Sequence, residues 1–338
     1  MGARIGLKDV AAMAGVSFKT VSNVVRGEGR VSAATRERVL AAVAELGYRP
    51  NHSARQLRTG RSGIVMLAVP ELLSPYFAEL AAAFIAAAKE RPCTVLIEET
   101  QGDPEEELRL AAGMVSPLID GVVLSPLRLD RERLAAREGD FPLVLLGERE
   151  YDVAADHVGI DNVAAAREAV RHLLAAGRRR IGVLGRQDDP LFATGATRMR
   201  GYREALDAAG VAFDPALAPA VPWYSRDCGA AGMRELLTLP EPPDAVFCFA
   251  DVLASGALRA AHEAGVRVPR DVALVGFDDV EESRFSVPSL SSVRPDRAGI
   301  AGLALDAVLE RISAGGKRLE QRVLTASHGL RVRESSGS

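Results

Sequence analysis

Leu7–Asn23 reads LKDVAAMAGVSFKTVSN, a run that fits two short helices around a tight turn. Val10, Ala11 and Ala14 recur at helical spacing and face inward from the first. Gly15 lets the chain turn, Ser17 is placed to cap the second helix, and Val21 and Val24 pin that helix to a core. Its opposite face then offers Phe18, Lys19, Ser22 and Asn23. A helix presented in this way fits the major groove of duplex DNA, where side chains reach base edges. A third helical pattern follows in SAATRERVLAAVAELGY (32–48), and Arg49-Pro50-Asn51 leads on to HSARQLRTG (52–60).

Charge is distributed in keeping with this reading. The 338 residues carry 42 Lys and Arg against 45 Asp and Glu, a net −3 that alone argues against nucleic acid. Residues 1–61, however, hold eleven basic and four acidic side chains, a net +7, which leaves −10 for the rest. A basic head on an acidic body confines phosphate attraction to one end of the molecule. The alternative, a merely solvated basic surface, would not need to coincide with a helix-turn-helix.

Other classes find little support. MGARIGLKDV lacks the apolar core of a secretory signal, so the cytoplasm is the expected location. No apolar run approaches the ~20 residues of a membrane span, and the longest, AAAFIAAA (81–88), sits in an amphipathic pattern. Cys93, Cys228 and Cys248 are few and unpaired by spacing, as in a reduced intracellular protein. The five histidines show no metal spacing, and no phosphate loop or nucleophile elbow is present, so neither catalysis nor a cofactor is expected.

From Ser62 onward, strand-like apolar runs (64–69, 94–98, 121–124, 143–146, 180–184, 244–249 and 272–277) alternate with helical patterns (76–90, 164–177, 199–210 and 253–265). Near-continuous apolar strands separated by helices predict an α/β body of parallel sheets covered on both faces. Two such halves meet near His157–Asp161.

The segments DVAAMAGVSFKTVSNVV (Asp9–Val25), VSAATRERVLAAVAELGYRPN (Val31–Asn51), ARQLRTG (Ala54–Gly60), VGIDN (Val158–Asn162), Gly201-Tyr202, RVPRDVALVGFDD (Arg267–Asp279) and SLSSVRPD (Ser289–Asp296) together resemble the LacI/GalR family of bacterial transcription repressors. The resemblance spans the chain and implies its organisation: a helix-turn-helix headpiece over 1–50, a hinge helix and linker over 51–61, a first lobe of 62–160 plus 293–318, and a second of 161–290 plus 320–332. The lobes would form a periplasmic-binding-protein-like body. The chain would cross back near Ser291–Pro295, helix 297–312 would return to the first half, and a last strand near 321–332 would rejoin the second.

Site residues follow from the same resemblance. Phe18, Lys19 and Asn23 would read bases, while Thr20 and Ser22 would hold phosphates. Phe18 has an alternative role in packing the headpiece. Leu7, Ser17, Asn51 and Arg55 complete the expected DNA-facing set. NHSARQLR (51–58) is too short to be a stable helix alone and would fold on the minor groove, with Leu57 as the wedge. A plain linker is the alternative, and TGRSG (59–63) favours it. In the body, Phe77 would stack on a ligand ring, Arg198 would grip polar groups as a bidentate fork with Thr194 on the same loop, Asp278 would accept hydroxyl or amine hydrogens, and Tyr224 would form an aromatic wall with Trp223 as its rival. Asp251 would contact the ligand or simply cap its helix; Phe77 would otherwise be core, and Arg198 and Asp278 a structural pair. Ala250 and Gly147 stand where relatives carry polar groups.

These readings converge on a ligand-responsive homodimeric repressor on palindromic double-stranded DNA, released by a sugar-like inducer. A corepressor-dependent regulator answering to a nucleobase or other small metabolite is the alternative. An exported solute-binding protein would share the body but not need the head. An architectural DNA-binding protein would need the head but not the body. LRVRESSGS (330–338) carries no heptad, so no tetramerising helix is apparent there.

Overall fold

The computed structural model describes residues 5–26, 29–48, 61–129, 131–136, 140–147, 153, 155–188, 193–317 and 319–337. Two compact units result, one ending at Ser62 and the other beginning at Gly63.

The first unit holds three helices, α1 (Leu7–Ala14), α2 (Phe18–Arg26) and α3 (Ala33–Glu45). Asp9 accepts the Gly6 N–H at 2.8 Å and so closes the start of α1. Gly15 ends that helix at φ 61, a left-handed turn that a side chain would resist. The Ser17 hydroxyl accepts the Thr20 N–H at 3.1 Å and caps α2, as the sequence suggests. Ser32 does the same for α3 through Thr35. Val10, Val21, Val24, Val39, Ala42 and Tyr48 form the buried core. Each valine there contributes about 1.5–3 kcal/mol by leaving water.

The second unit is doubly wound. Its strands are β1 (Ile64–Val69), β2 (Thr94–Glu99), β3 (Gly121–Leu124), β4 (Leu143–Leu146), β5 (Asp156–Ile160), β6 (Ile181–Leu184), β7 (Ala245–Cys248), β8 (Ala273–Phe277), β9 (Ser291–Pro295), β10 (Val323–Ala326) and β11 (His328–Arg331). One sheet runs β10-β5-β4-β3-β1-β2, and the other β11-β9-β8-β7-β6. All pairings are parallel except β11 with β9. Every residue of β3, β4, β6, β7 and β8 is buried, which is why these strands read as unbroken apolar runs. Helices Pro75–Ala88 and Arg297–Ala314 pack one face of the first sheet. Helices Asn162–Ala175 and Ala193–Ala208 cover one face of the second, and Arg226–Leu237 and Asp251–Glu263 the other.

Several boundaries differ from expectation. Asp156–Ile160 is a full strand rather than a junction, and its charged start is buried because it is paired. The Asp156 carboxylate receives Arg311 at 2.8 Å and Arg322 at 2.8 Å, together with the Arg322 backbone N–H at 2.9 Å. The segment 321–332 does not simply rejoin the second lobe. Its first half, β10, lies beside β5 in the first sheet, and its second half, β11, lies beside β9. Likewise 293–295 belongs to β9 of the second sheet, so the chain crosses only after Pro295. Three crossings thus join the lobes: β5 to the helix at Asn162, β9 to the helix at Arg297, and β10 to β11. No helix among the described residues is long and apolar enough to cross a membrane.

Candidate effector cleft and DNA-reading head

Parallel strands deliver their carboxyl ends to one edge, and in both lobes those ends line a common cleft. Phe77, Ser125 and Gly147 line it from the first lobe; Thr194, Arg198, Tyr224 and Asp278 line it from the second. The cleft holds about 190 Å³ of space. Phe77 stands on the first turns of its helix, half-buried, with Tyr76 edge-on at 5.2 Å.

Arg198 is the most constrained cleft residue. It lies on helix Ala193–Ala208, which begins before the expected start at 199, so it and Thr194 are helical rather than on a loop. ATGATR, with its glycine and two threonines, gives no apolar period to announce that first turn. The Arg198 Nε donates to Asn162 Oδ1 at 2.8 Å, one Nη donates to the Phe249 carbonyl, and the guanidinium lies 3.4 Å from the Phe277 ring centroid. Stacking and two fixed donors hold the fork planar over the cleft floor. Burial pushes the neighbouring Asp278 carboxyl well above the usual carboxylate range, and the positive charges of Arg198 and Arg297 oppose that rise. Asp278 has φ 119 and Asp279 φ 49, two consecutive non-glycine residues in a strained turn. The Asp279 N–H bonds Ser292 Oγ at 3.0 Å, and Arg333 pairs with the Asp279 carboxylate at 2.6 Å. That support keeps the Asp278 carboxyl aimed at the cleft.

The Tyr224 ring forms a wall, while its hydroxyl is taken by the Gly185 carbonyl at 2.9 Å. Trp223 also lines the cleft, so the rival is a second wall and not a replacement. Asp251 is placed differently from the expected ligand contact. It does not line the cleft, and its buried carboxylate accepts Ser283 Oγ at 2.7 Å, Ser292 Oγ at 2.6 Å and the Val280 N–H at 3.0 Å. Burial raises this acid to about 6, with the three hydrogen bonds opposing the rise. Its work is to brace the 278–292 loop that carries Asp278. Sequence reasoning passed over Asn162, Ser125, Gln187 and Glu71, which also line the cleft. Ser125 and Glu71 lie just past β3 and β1, at strand carboxyl ends, where ligands bind in such folds.

In the head, Phe18 is 47% exposed and Lys19 is exposed, at the start of α2 and available to a groove. Thr20 and Asn23 are half-buried, and together with Ser17, Lys19 and Arg30 they line a shallow hollow. Ser22 is a correction: it is 5% exposed, on the inner side of α2 beside Val21, and so is not presented to phosphates. Leu7 is half-buried and packs against the head core. Asn51, Arg55 and Leu57 lie outside the described residues.

A small helix-turn-helix unit and a two-lobed ligand-binding body define a class of regulator that reads DNA under control of a small molecule. The model of bacterial regulatory proteins of the lacI family matches residues 6–51, and a periplasmic binding protein-like domain matches residues 170–336. The HTH-type transcriptional repressor CytR of Escherichia coli is 33% identical over 308 residues, covering 90% of this chain and 89% of CytR. CelR of Thermobifida fusca, an HTH-type transcriptional regulator, is 36% identical over 339 residues and covers 97% of each chain. The lac repressor dimer bound to operator and the anti-inducer ONPF superposes with a TM-score of 0.80 at 26% identity, covering 99% of this chain and 100% of that one. The chain belongs to the LacI family of bacterial transcriptional regulators, and it is a DNA-binding regulator rather than an enzyme.

Proposed function

We propose that this chain is a homodimeric cytoplasmic repressor that holds a palindromic operator and lets go when a sugar-like ligand fills the cleft. The observation that carries the ligand class is the pairing of aromatic walls, Phe77, Tyr224 and Trp223, with the polar floor of Arg198 and Asp278. A sugar ring has apolar C–H faces and a hydroxyl-bearing edge, so it suits a slot with both surfaces. A solved structure of CelR carries cellobiose, at 34% identity and a TM-score of 0.71, which supports this reading. Lobe closure transmits the signal only insofar as the ligand binds one closure angle better than another.

The test is a thermal-shift screen of sugars and nucleosides, followed by operator binding with each hit. A specific ligand at 100 times its dissociation constant stabilises the body by about 2.7 kcal/mol. A hit that weakens operator binding supports an inducer; one that strengthens it supports the corepressor alternative; a nucleoside hit without any sugar hit removes the sugar assignment.

On the DNA side, we assign base reading to Phe18, Lys19 and Asn23, phosphate contacts to Ser17 and Thr20, and minor-groove contacts to Asn51, Arg55 and Leu57. Lys19→Ala is expected to relax preference at one operator position by about 1–3 kcal/mol, whereas Thr20→Ala weakens all sequences alike. Selection from random palindromes checks this, and an unchanged preferred motif for the Lys19 variant would refute its base-reading role. Wild-type affinity is expected to fall steeply with salt through counterion release, given the net +7 of residues 1–61. A gel-shift series in rising salt measures that slope, and a flat response would argue against phosphate-driven binding.

A further inference from the structure

We propose that Trp223 is a gate that closes the end of the effector cleft farthest from the lobe crossings and limits the length of ligand admitted. This rests on the cleft being the effector site.

The topology locates the gate. In the first sheet, β5 and β10, which lead into two of the crossings, lie at one edge and β2 lies at the other. In the second sheet, β9 and β11 lie at one edge and β6 at the other. Trp223 belongs to the β6 side: the Val221 N–H bonds the carbonyl of Arg186, just past β6, at 2.8 Å. The residues facing it come from the other lobe, beyond β2 and β3. A Cβ placed on Gly102 would lie 3.7 Å from the outer edge of the Trp223 ring and 2.9 Å from Leu127, so the indole reaches across to the first lobe's backbone. Gly102 takes φ 65, a conformation that favours glycine, and a Cβ there would crowd Leu127 while only touching the indole. The Arg128 guanidinium lies 6.0 Å from the Trp223 ring centroid, within cation–π reach.

The first-lobe jaw is built to hold its position. Glu107 is wholly buried, and its two carboxylate oxygens accept the backbone N–H groups of Leu127 at 2.7 Å and Arg128 at 3.0 Å. Glu107 is a positioning residue: it fixes the loop against which the indole closes. Leu127 and Trp223 both line the cleft, so the gate is also its end wall. The cleft space of about 190 Å³ is below the roughly 300–1,000 Å³ usual for small-molecule sites. A space of this size suits a compact ligand, and in this proposal a longer one must displace the indole.

Trp223 is the only tryptophan of the chain, so its emission reports the gate directly. Without ligand, acrylamide quenching of the full-length protein is expected to rise about twofold in Leu127→Ala and in Glu107→Gln, with a red-shifted emission and an unchanged far-UV spectrum, because both variants release the indole to solvent. Wild-type quenching as strong as that of free tryptophan amide, or quenching unchanged in both variants, would overturn the gate. With ligand, glucose, cellobiose and cellotetraose are titrated into wild type and Trp223→Ala. Wild type is expected to bind the shorter sugars and reject the four-ring one. Trp223→Ala is expected to bind the shorter sugars about tenfold more weakly, through the lost ring contact, and to accept the four-ring sugar equally well. Wild-type binding of cellotetraose as tight as that of cellobiose would also overturn it. If no sugar binds either protein, the sugar reading of the cleft falls, and the ligand-free quenching still decides the gate.

Discussion

Arg198→Ala is expected to abolish the response to ligand while operator binding persists. The guanidinium is buried between Asn162, Phe249 and Phe277, and it lines the cleft beside Asp278. Hydrogen bonds made by a charged fork contribute about 1.5–3 kcal/mol each, so losing two to a ligand weakens its binding by roughly 100-fold or more. The removal also leaves Asp278 without one of its two opposing positive charges, so the variant is expected to melt lower. Arg198→Lys separates the two effects: it restores charge and much of the stability but not the planar fork, and ligand affinity stays low. In cells the outcome is permanent repression if the ligand is an inducer and permanent release if it is a corepressor. Calorimetry with the identified ligand decides the point. Undiminished affinity in the alanine variant would make Arg198 purely structural and move the site elsewhere.

The parts of this fold that were legible from sequence are those whose local chemistry is unambiguous. β3, β4, β6, β7 and β8 are buried along their whole length, so they could be read from apolar runs alone. β5 could not, because Asp156 and His157 break its apolar character, and only the arginines arriving from 311 and 322 explain why a charge is tolerated there. β10 and β11 are short and partly exposed edge strands separated by a single residue, and nothing local says that they belong to different sheets. Helix Pro104–Ala111 is marked by its start, Asp103 and Pro104, more than by its short apolar period. The cleft shows the same division. Phe77, Arg198, Tyr224 and Asp278, which the family resemblance implies as ligand contacts, line the cleft near the strand carboxyl ends, where ligands lie in such folds. Asp251 obeys the same rule yet turns away, because Ser283 and Ser292, distant in sequence, saturate its carboxylate. Ser22 fits the outward face of α2 by helical phase, yet it is buried with its neighbour Val21 while Asn23 is half-buried. Partners that meet only on folding are beyond a local reading.

Asp156→Asn is expected to cost the body about 3–5 kcal/mol at neutral pH. The wild-type carboxylate is fully buried and joins β5 to helix Arg297–Ala314 through Arg311 and to the start of β10 through Arg322. Burial alone would disfavour its charge, but the hydrogen bonds and charges of the two guanidinium groups outweigh that and hold the acid down at about 2. Arg311 is itself 8% exposed, so removing the carboxylate charge strands a buried cation, and breaking such a pair costs more than the pair contributes. The linkage gives a second signature. A folded-state value of about 2 lies below the unfolded reference of 3.8, so the unfolded chain binds the proton first as pH falls. The associated stability, on the order of 2 kcal/mol, is fully present above about pH 5 and is lost as the pH falls through 4 toward 2. The asparagine variant has no such proton to take up. Urea unfolding of the isolated operator-free protein at pH 7, 5, 4 and 3 is therefore expected to show a wild-type acid limb that is shallower in Asp156→Asn, so that the two proteins converge at low pH. A parallel fall of both curves, with a constant gap, would mean that the variant's loss comes from packing and that the acid sensitivity belongs to other carboxylates.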